Sequence, residues 1–179
     1  MTAEWRQHPL LRDRFLPEHP DDLQVIVHDG GPRLTQARPD AVWVTVTSIY
    51  GDVFRGRVLN EPQQLARVKY GDEISFVMPA GALHPILVTE KYLSERDAWT
   101  VHPCDKCGLS ELFDAPSELV AATFKGLPPD AQPEMFTAFC PLCGGGQVIE
   151  LRAATIATRA PATTAATVRT RRRWWRFCR

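Results

Sequence analysis

The chain has 179 residues, 44% hydrophobic, 23% charged and 9% aromatic, which suits one ordinary domain or a domain with a small satellite and excludes collagen-like and wholly disordered classes. No run approaches the roughly 18 consecutive apolar residues of a membrane-spanning helix, and the opening MTAEWRQHPLLRDRFLPEHPDD carries charge on both sides of its few apolar residues, unlike a secretory signal. The zero net charge is unevenly spread: residues 1–150 hold 13 Lys+Arg against all 21 Asp+Glu, and residues 151–179 hold eight Arg and no acid.

Residues 1–22 are polar and Pro-bearing and read as an N-terminal arm, extended or with a short helix ending at His19-Pro20. Leu23–His28 reads as a strand stopped by Asp29-Gly30-Gly31-Pro32. Ala41–Thr47 is a second strand, rich in β-branched residues, and Val53–Leu59 pairs back on it after the turn at Tyr50-Gly51-Asp52. In that third strand Phe54 and Val58 share one face, while Arg55 and Arg57 share the other. Asn60-Glu61-Pro62 breaks it, and Gln63–Val68 is predicted as a short helix with Pro62 in its first turn. Further strands are predicted at Glu73–Met78, Ile86–Thr89 and Asp97–Val101. Short strands at this spacing predict an antiparallel sheet curling into a barrel, or backed by one helix.

Trp43-Val44, then Phe54-x-Gly56-x-Val58-x-Asn60-x-Pro62, then Gly71-Asp72-x-Ile74-x-Phe76 resembles the core pattern of the YegJ-like family, small bacterial proteins of unknown function. The resemblance covers residues 40–78 and implies an α+β domain; it supplies no activity. From the residues themselves, Gly56 permits a bend or a close backbone approach. Asn60 and Asp72 suit turns closed by side-chain-to-backbone hydrogen bonds.

Two CxxCG knuckles follow, Cys104-Asp105-Lys106-Cys107-Gly108 and Cys140-Pro141-Leu142-Cys143-Gly144. A two-residue spacing allows a tight turn whose backbone N–H groups point at sulfur, and the following Gly can take a positive φ that relieves crowding. Two such knuckles present four thiolates, Cys104, Cys107, Cys140 and Cys143, as suits Zn²⁺ at about 2.3 Å. In outline the module resembles a zinc ribbon or a rubredoxin, so iron stands as an alternative. However, His102-Pro103 and Leu109-Ser110-Glu111 lack the aromatic packing that rubredoxins place around the first knuckle. A dithiol redox centre is disfavoured because Gly144-Gly145-Gly146 is a poor helix start. A reducing, cytoplasmic setting, inferred from the opening residues, disfavours disulfides. Four cysteines close the first shell, so the metal is expected to be structural, with His102 a neighbour and Cys178 a bystander. Between the knuckles, Leu119-Val120-x-x-x-Phe124 has helical spacing, with Asp114 or Ser117 as cap.

No nucleophile elbow, phosphate loop or HExxH motif is present in the sequence, so no catalytic residue is assigned. His8, His19, His28 and His84 read as surface or turn residues, and Asp21-Asp22, Asp72-Glu73 and Glu95-Arg96-Asp97 as solvated acidic faces. From Leu151 the composition turns to Ala, Thr and Arg. That tail is read as a disordered extension, as a shifted-frame artefact, or as a contact element. In the last reading Arg171, Arg172, Arg173 and Arg176 attract phosphates, and the rings of Trp174, Trp175 and Phe177 serve for stacking or for seating at a lipid interface.

The expected fold class is α+β: a small antiparallel, barrel-like sheet with one or two short helices, a four-cysteine zinc-knuckle module and a disordered basic tail. The expected divisions are residues 1–22 (arm), 23–100 (sheet domain), 101–150 (zinc module) and 151–179 (tail). The expected role is non-catalytic and zinc-binding, with a protein partner favoured by the acidic body. Nucleic-acid binding through the tail and rubredoxin-like electron transfer are the alternatives.

Overall fold

Alternation of apolar and polar residues sets the barrel strands. The computed structural model describes residues 3–128 and 131–152. β1 (Asp22–Val27) buries Leu23, Val25 and Val27; β2 (Asp40–Tyr50) buries Val42, Val44 and Val46; β3 (Val53–Val58) buries Phe54, Gly56 and Val58. β4 (Glu73–Val77) and β5 (Ile86–Val88) complete a closed five-stranded barrel in the order β1-β2-β3-β4-β5. Neighbours are antiparallel except at the closure, where Ile26 of β1 pairs with Ile86 of β5 in parallel. The exception is topological: an odd number of alternating strands brings the first and last together pointing the same way.

Register places Leu23 opposite Val44 and Val44 opposite Val58, so one row of side chains crosses the interior. Phe54 faces Phe76 across β3 and β4 with ring centroids 5.7 Å apart. Gly56 lies inside this wall, where a Cβ would strike the Val44 side chain and come within 2.7 Å of the Thr45 carbonyl oxygen. The β2–β3 register shifts between Val46 and Ser48, an irregularity that helps a small barrel to curve. Asp72 Oδ2 accepts from the Lys69 N–H at 2.8 Å and closes a turn as expected, whereas Asn60 Oδ1 accepts from the Trp43 N–H at 2.7 Å, 17 positions away, and so ties the end of β3 to β2 rather than closing a turn.

The first residues belong to this core. Glu4–Gln7 forms a 3₁₀ turn, Leu11 is fully buried in the barrel core, and Trp5 and Phe15 pack against it. Trp5 Nε1 and Arg6 Nε donate to Asp21 Oδ1 at 2.8 and 2.7 Å, so Asp21 is a clamp rather than part of a solvated face. The helix expected over residues 63–68 does not form. Its backbone donors go elsewhere: Gln63 N–H to Asp40, and Ala66 and Arg67 N–H to the two oxygens of Asp29. Three carboxylate bonds satisfy donors that a helix would have taken, while Leu65 and Val68 still reach the core.

A helix unforeseen in the sequence, α1 (Glu90–Glu95), follows β5. Thr89, read as the end of a strand, is its N-cap and accepts from the Tyr92 N–H at 3.1 Å. β6 (Trp99–Val101), α2 (Pro116–Thr123), β7 (Met135–Phe139) and β8 (Gly146–Leu151) follow. The second sheet has the order β6-β8-β7, all antiparallel, with β8 in the centre. Trp99–Val101 therefore pairs with β8 and with no barrel strand.

β5 is the shared wall of two cores. Leu87 points into the barrel, and Ile86 and Val88 pack outward with Val77 against Tyr92, Trp99, Phe113, Phe136 and Ile149. That is why all three β5 residues are buried without alternation. α2 starts at Pro116 and is capped by Glu118 Oε2, which accepts from the Ala115 N–H at 3.3 Å; neither Asp114 nor Ser117 is its cap. Among the described residues no helix is long and apolar enough to cross a membrane.

Candidate metal centre

β6 and β7 run in the same direction on either side of β8, with Val101 opposite Ile149 and Phe139 opposite Gly146. The chain leaving each strand enters a knuckle, so the two CxxCG segments arrive at the same end of the sheet. Both knuckles are closed alike. In the first, Gly108 N–H donates to Cys104 C=O at 3.0 Å and Cys104 N–H to Leu109 C=O at 2.9 Å; in the second, Gly144 N–H donates to Cys140 C=O at 2.9 Å and Cys140 N–H to Gly145 C=O at 2.7 Å. Gly108 and Gly144 have φ of 75° and 70°, a conformation that strains any residue with a Cβ.

The four sulfurs converge. Cys104 Sγ lies 3.5 Å from Cys143 Sγ and Cys107 Sγ 3.5 Å from Cys140 Sγ, and all four Sγ atoms lie within 4.8 Å of one another. A tetrahedral ion held at about 2.3 Å by each sulfur needs sulfur–sulfur separations of about 3.8 Å, inside that spread. The cluster could therefore hold a metal ion. Cys104 and Cys140 are buried, and Cys107 and Cys143 face outward.

The electrostatics fit a metal-binding set. Burial pushes the Cys140 and Cys107 thiols up, because an isolated thiolate is poorly solvated there. Cys104 is also opposed by desolvation, yet N–H groups of Cys107 and Lys106, the latter 3.5 Å from Sγ, hold it down at about 7. A cation among the sulfurs favours all four thiolates together. Neither knuckle opens a helix: each leads through its glycine into extended chain, so the helix dipole that lowers a thioredoxin-type cysteine is missing.

Three residues not singled out from the sequence hold the centre together. Asp105 N–H donates to Gly146 C=O at 3.1 Å, and Asp105 Oδ1 accepts from the Gly146 N–H at 2.9 Å, which joins one knuckle to the other. A Cβ on Gly145 would lie 2.5 Å from Asp105 Oδ1 and 2.6 Å from Cys104 Sγ, so this glycine is what lets the knuckles meet. Gln147 is fully buried, and its Nε2 donates to the Leu109 and Glu111 carbonyls at 2.8 and 3.2 Å, anchoring the exit of the first knuckle to β8. Its signal was legible: a polar residue on the inward side of the alternation Gln147, Ile149, Leu151.

His102 Nε2 lies 3.2 Å from Glu150 Oε2, so the ring is engaged across β6 and β8. His28 is not a surface residue. It is 4% exposed, its Nδ1 accepts from the Gly30 N–H at 3.1 Å, and its Nε2 meets the Leu87 carbonyl at 2.8 Å. Glu95 accepts from both the N–H and the hydroxyl of Ser117, at 2.9 and 2.6 Å, and is likewise structural. Cys178 and the residues Arg171, Arg172, Arg173, Trp174, Trp175, Arg176 and Phe177 lie outside the described residues.

Comparison with family models, with curated proteins and with solved structures finds no match to this chain.

Proposed function

We propose that this is a non-catalytic zinc protein in which the ion is structural and the acidic body binds a basic protein partner. The observation that carries the metal reading is the convergence of four cysteine sulfurs, within 4.8 Å of one another, at the common end of β6 and β7. Four thiolates leave no open position for water or substrate, which supports a structural role over catalysis. Zinc is favoured over iron by the knuckle surroundings: the residues flanking the first knuckle are His102, Pro103, Leu109 and Ser110, without the aromatic shell of a rubredoxin. The partner reading rests on the excess of 21 Asp+Glu over 13 Lys+Arg in residues 1–150, which disfavours a nucleic-acid backbone and favours a basic surface. The pattern across residues 40–78 supports grouping the barrel with the YegJ-like proteins.

Elemental analysis of the purified protein tests the metal reading, alongside Cys104→Ser/Cys107→Ser. About one zinc per chain, lost in the variant together with stability, is expected. A red protein carrying iron with a reversible redox couple would replace this reading with electron transfer. Metal-free protein with reactive thiols would end it.

A further inference from the structure

A cavity of about 770 Å³ opens between the barrel and α2, with none of the four cysteines in its walls. Asp114 stands on its wall and is only 6% exposed. Its Oδ2 accepts from the Gly31 N–H at 2.7 Å, and among the described residues no donor reaches Oδ1. The carboxylate is built in. A Cβ on Gly30 would lie 2.8 Å from Oδ1 and a Cβ on Gly31 2.8 Å from Oδ2, so both glycines leave room for it. Oδ1 is open to the cavity, so it is the oxygen left to meet a ligand's donor or cation there.

The rest of the wall sets the sign of that partner. Asp29, Asp72, Glu73 and Glu118 also line the cavity, against the cations Arg67 and Lys91. Lys91 is already committed to Glu118 at 3.4 Å. His28 adds no positive charge there, since its Nδ1 accepts the Gly30 N–H and so carries no proton. The cavity is therefore net negative. A guanidinium fork uses both oxygens of a carboxylate, and Oδ2 of Asp114 is already shared with the Gly31 N–H. An ammonium, a point charge with three donors, needs only one.

We propose that this cavity binds an aliphatic primary amine, its ammonium group donating to Asp114 Oδ1 and its apolar stem lying along Leu34, Val68 and Ile74. The volume admits a chain with a second amine, which the carboxylates of Asp72 and Glu73 would receive. This site stands apart from the metal reading and from the protein-partner reading.

Calorimetric titration of the full chain with spermidine tests it. Saturable binding is expected, weakened about tenfold or more by Asp114→Asn, whose side-chain oxygen can still accept from Gly31 N–H. Glu73→Gln is expected to weaken it by about threefold or more, and Glu61→Gln, which removes an equal charge outside the cavity, by less than about twofold. Equal weakening by all three variants would mean diffuse attraction to an acidic surface and overturn the proposal. So would the absence of saturable binding to the unaltered chain, or saturable binding of inorganic phosphate that Arg67→Ala removes. Should circular dichroism show that Asp114→Asn does not fold, Glu73→Gln measured against Glu61→Gln decides.

Discussion

The ring of His28 lies flat on that of Phe113, centroids 3.8 Å apart and planes 5° from parallel. One ring comes from the end of a barrel strand and the other from the segment between the two knuckles. Beside them Asp114 binds the backbone of Gly31, so a single stretch of chain after the first knuckle fastens the second sheet to the barrel. Val77, Ile86 and Val88 add an apolar face to the same joint.

Burial within this joint holds the His28 imidazole at about 4, well below its ordinary 6.5. The fold thus favours the neutral ring, and the unfolded chain binds the extra proton between those two values. Stability from this group is present above pH 6.5 and falls as the pH drops towards about 4, by on the order of 3 kcal/mol. Asp114 and Glu111, whose carboxyls burial pushes up, act in the opposite sense. Urea unfolding of the native chain and of His28→Gln from pH 7 to 4 isolates the histidine. The native chain should lose the larger amount, and equal slopes would show that His28 does not titrate as described.

Metal removal is expected to loosen the second sheet. With the ion chelated, no cation offsets the burial that disfavours the Cys107 and Cys140 thiolates, so these sulfurs take up protons and the two knuckles lose their shared tether. The loss should reach about 3 kcal/mol or more in urea unfolding. Cys104→Ser/Cys107→Ser should show no further response to chelator. An unchanged midpoint in the native chain would count against a structural ion.

Gly145→Ala places a methyl group 2.5 Å from Asp105 Oδ1 and 2.6 Å from Cys104 Sγ. The knuckles must separate to admit it, and metal affinity should fall about tenfold to a hundredfold, as when supporting contacts around ligands are lost. Competition with a chromophoric chelator measures this. The barrel should be undisturbed, as near-ultraviolet circular dichroism of the Trp43 region can show.

Gly56→Ala meets the Val44 side chain and, at 2.7 Å, the backbone oxygen of Thr45. Backbone cannot rotate aside as a long side chain can, so overpacking by about 1–3 kcal/mol is expected. A thermal midpoint equal to that of the unaltered chain would show that β2 and β3 yield more readily than their register suggests.

Much of the barrel was legible in the sequence because strands are local. Leu23, Val25 and Val27, or Phe54, Gly56 and Val58, declare an inward face within six residues, and Asp72 marks a turn. The four clustered cysteines were legible for the same reason: a CxxCG turn is complete in five residues, and its repetition names all four sulfurs. Where local signals competed, they misled. Residues 63–68 had helical credentials, but carboxylates of Asp29 and Asp40 captured their N–H groups from more than twenty positions away. Short α1 and central β8 went unread, since Thr89 looks like a strand end and Gly146–Leu151 sits beside a run of glycines.

The sequence by itself determined which residues face inward, where the chain turns and which four sulfurs belong together. Only the tertiary structure decided that five strands close with a parallel pair, that β8 gathers β6 and β7 so that the knuckles meet, and that His28 and Asp114 belong to the joint. The physical reason is range. Alternation, capping and turn chemistry act over a few residues, whereas Gly56 against Val44, Gly145 against Cys104 and Asp114 against Gly31 are close approaches between distant segments.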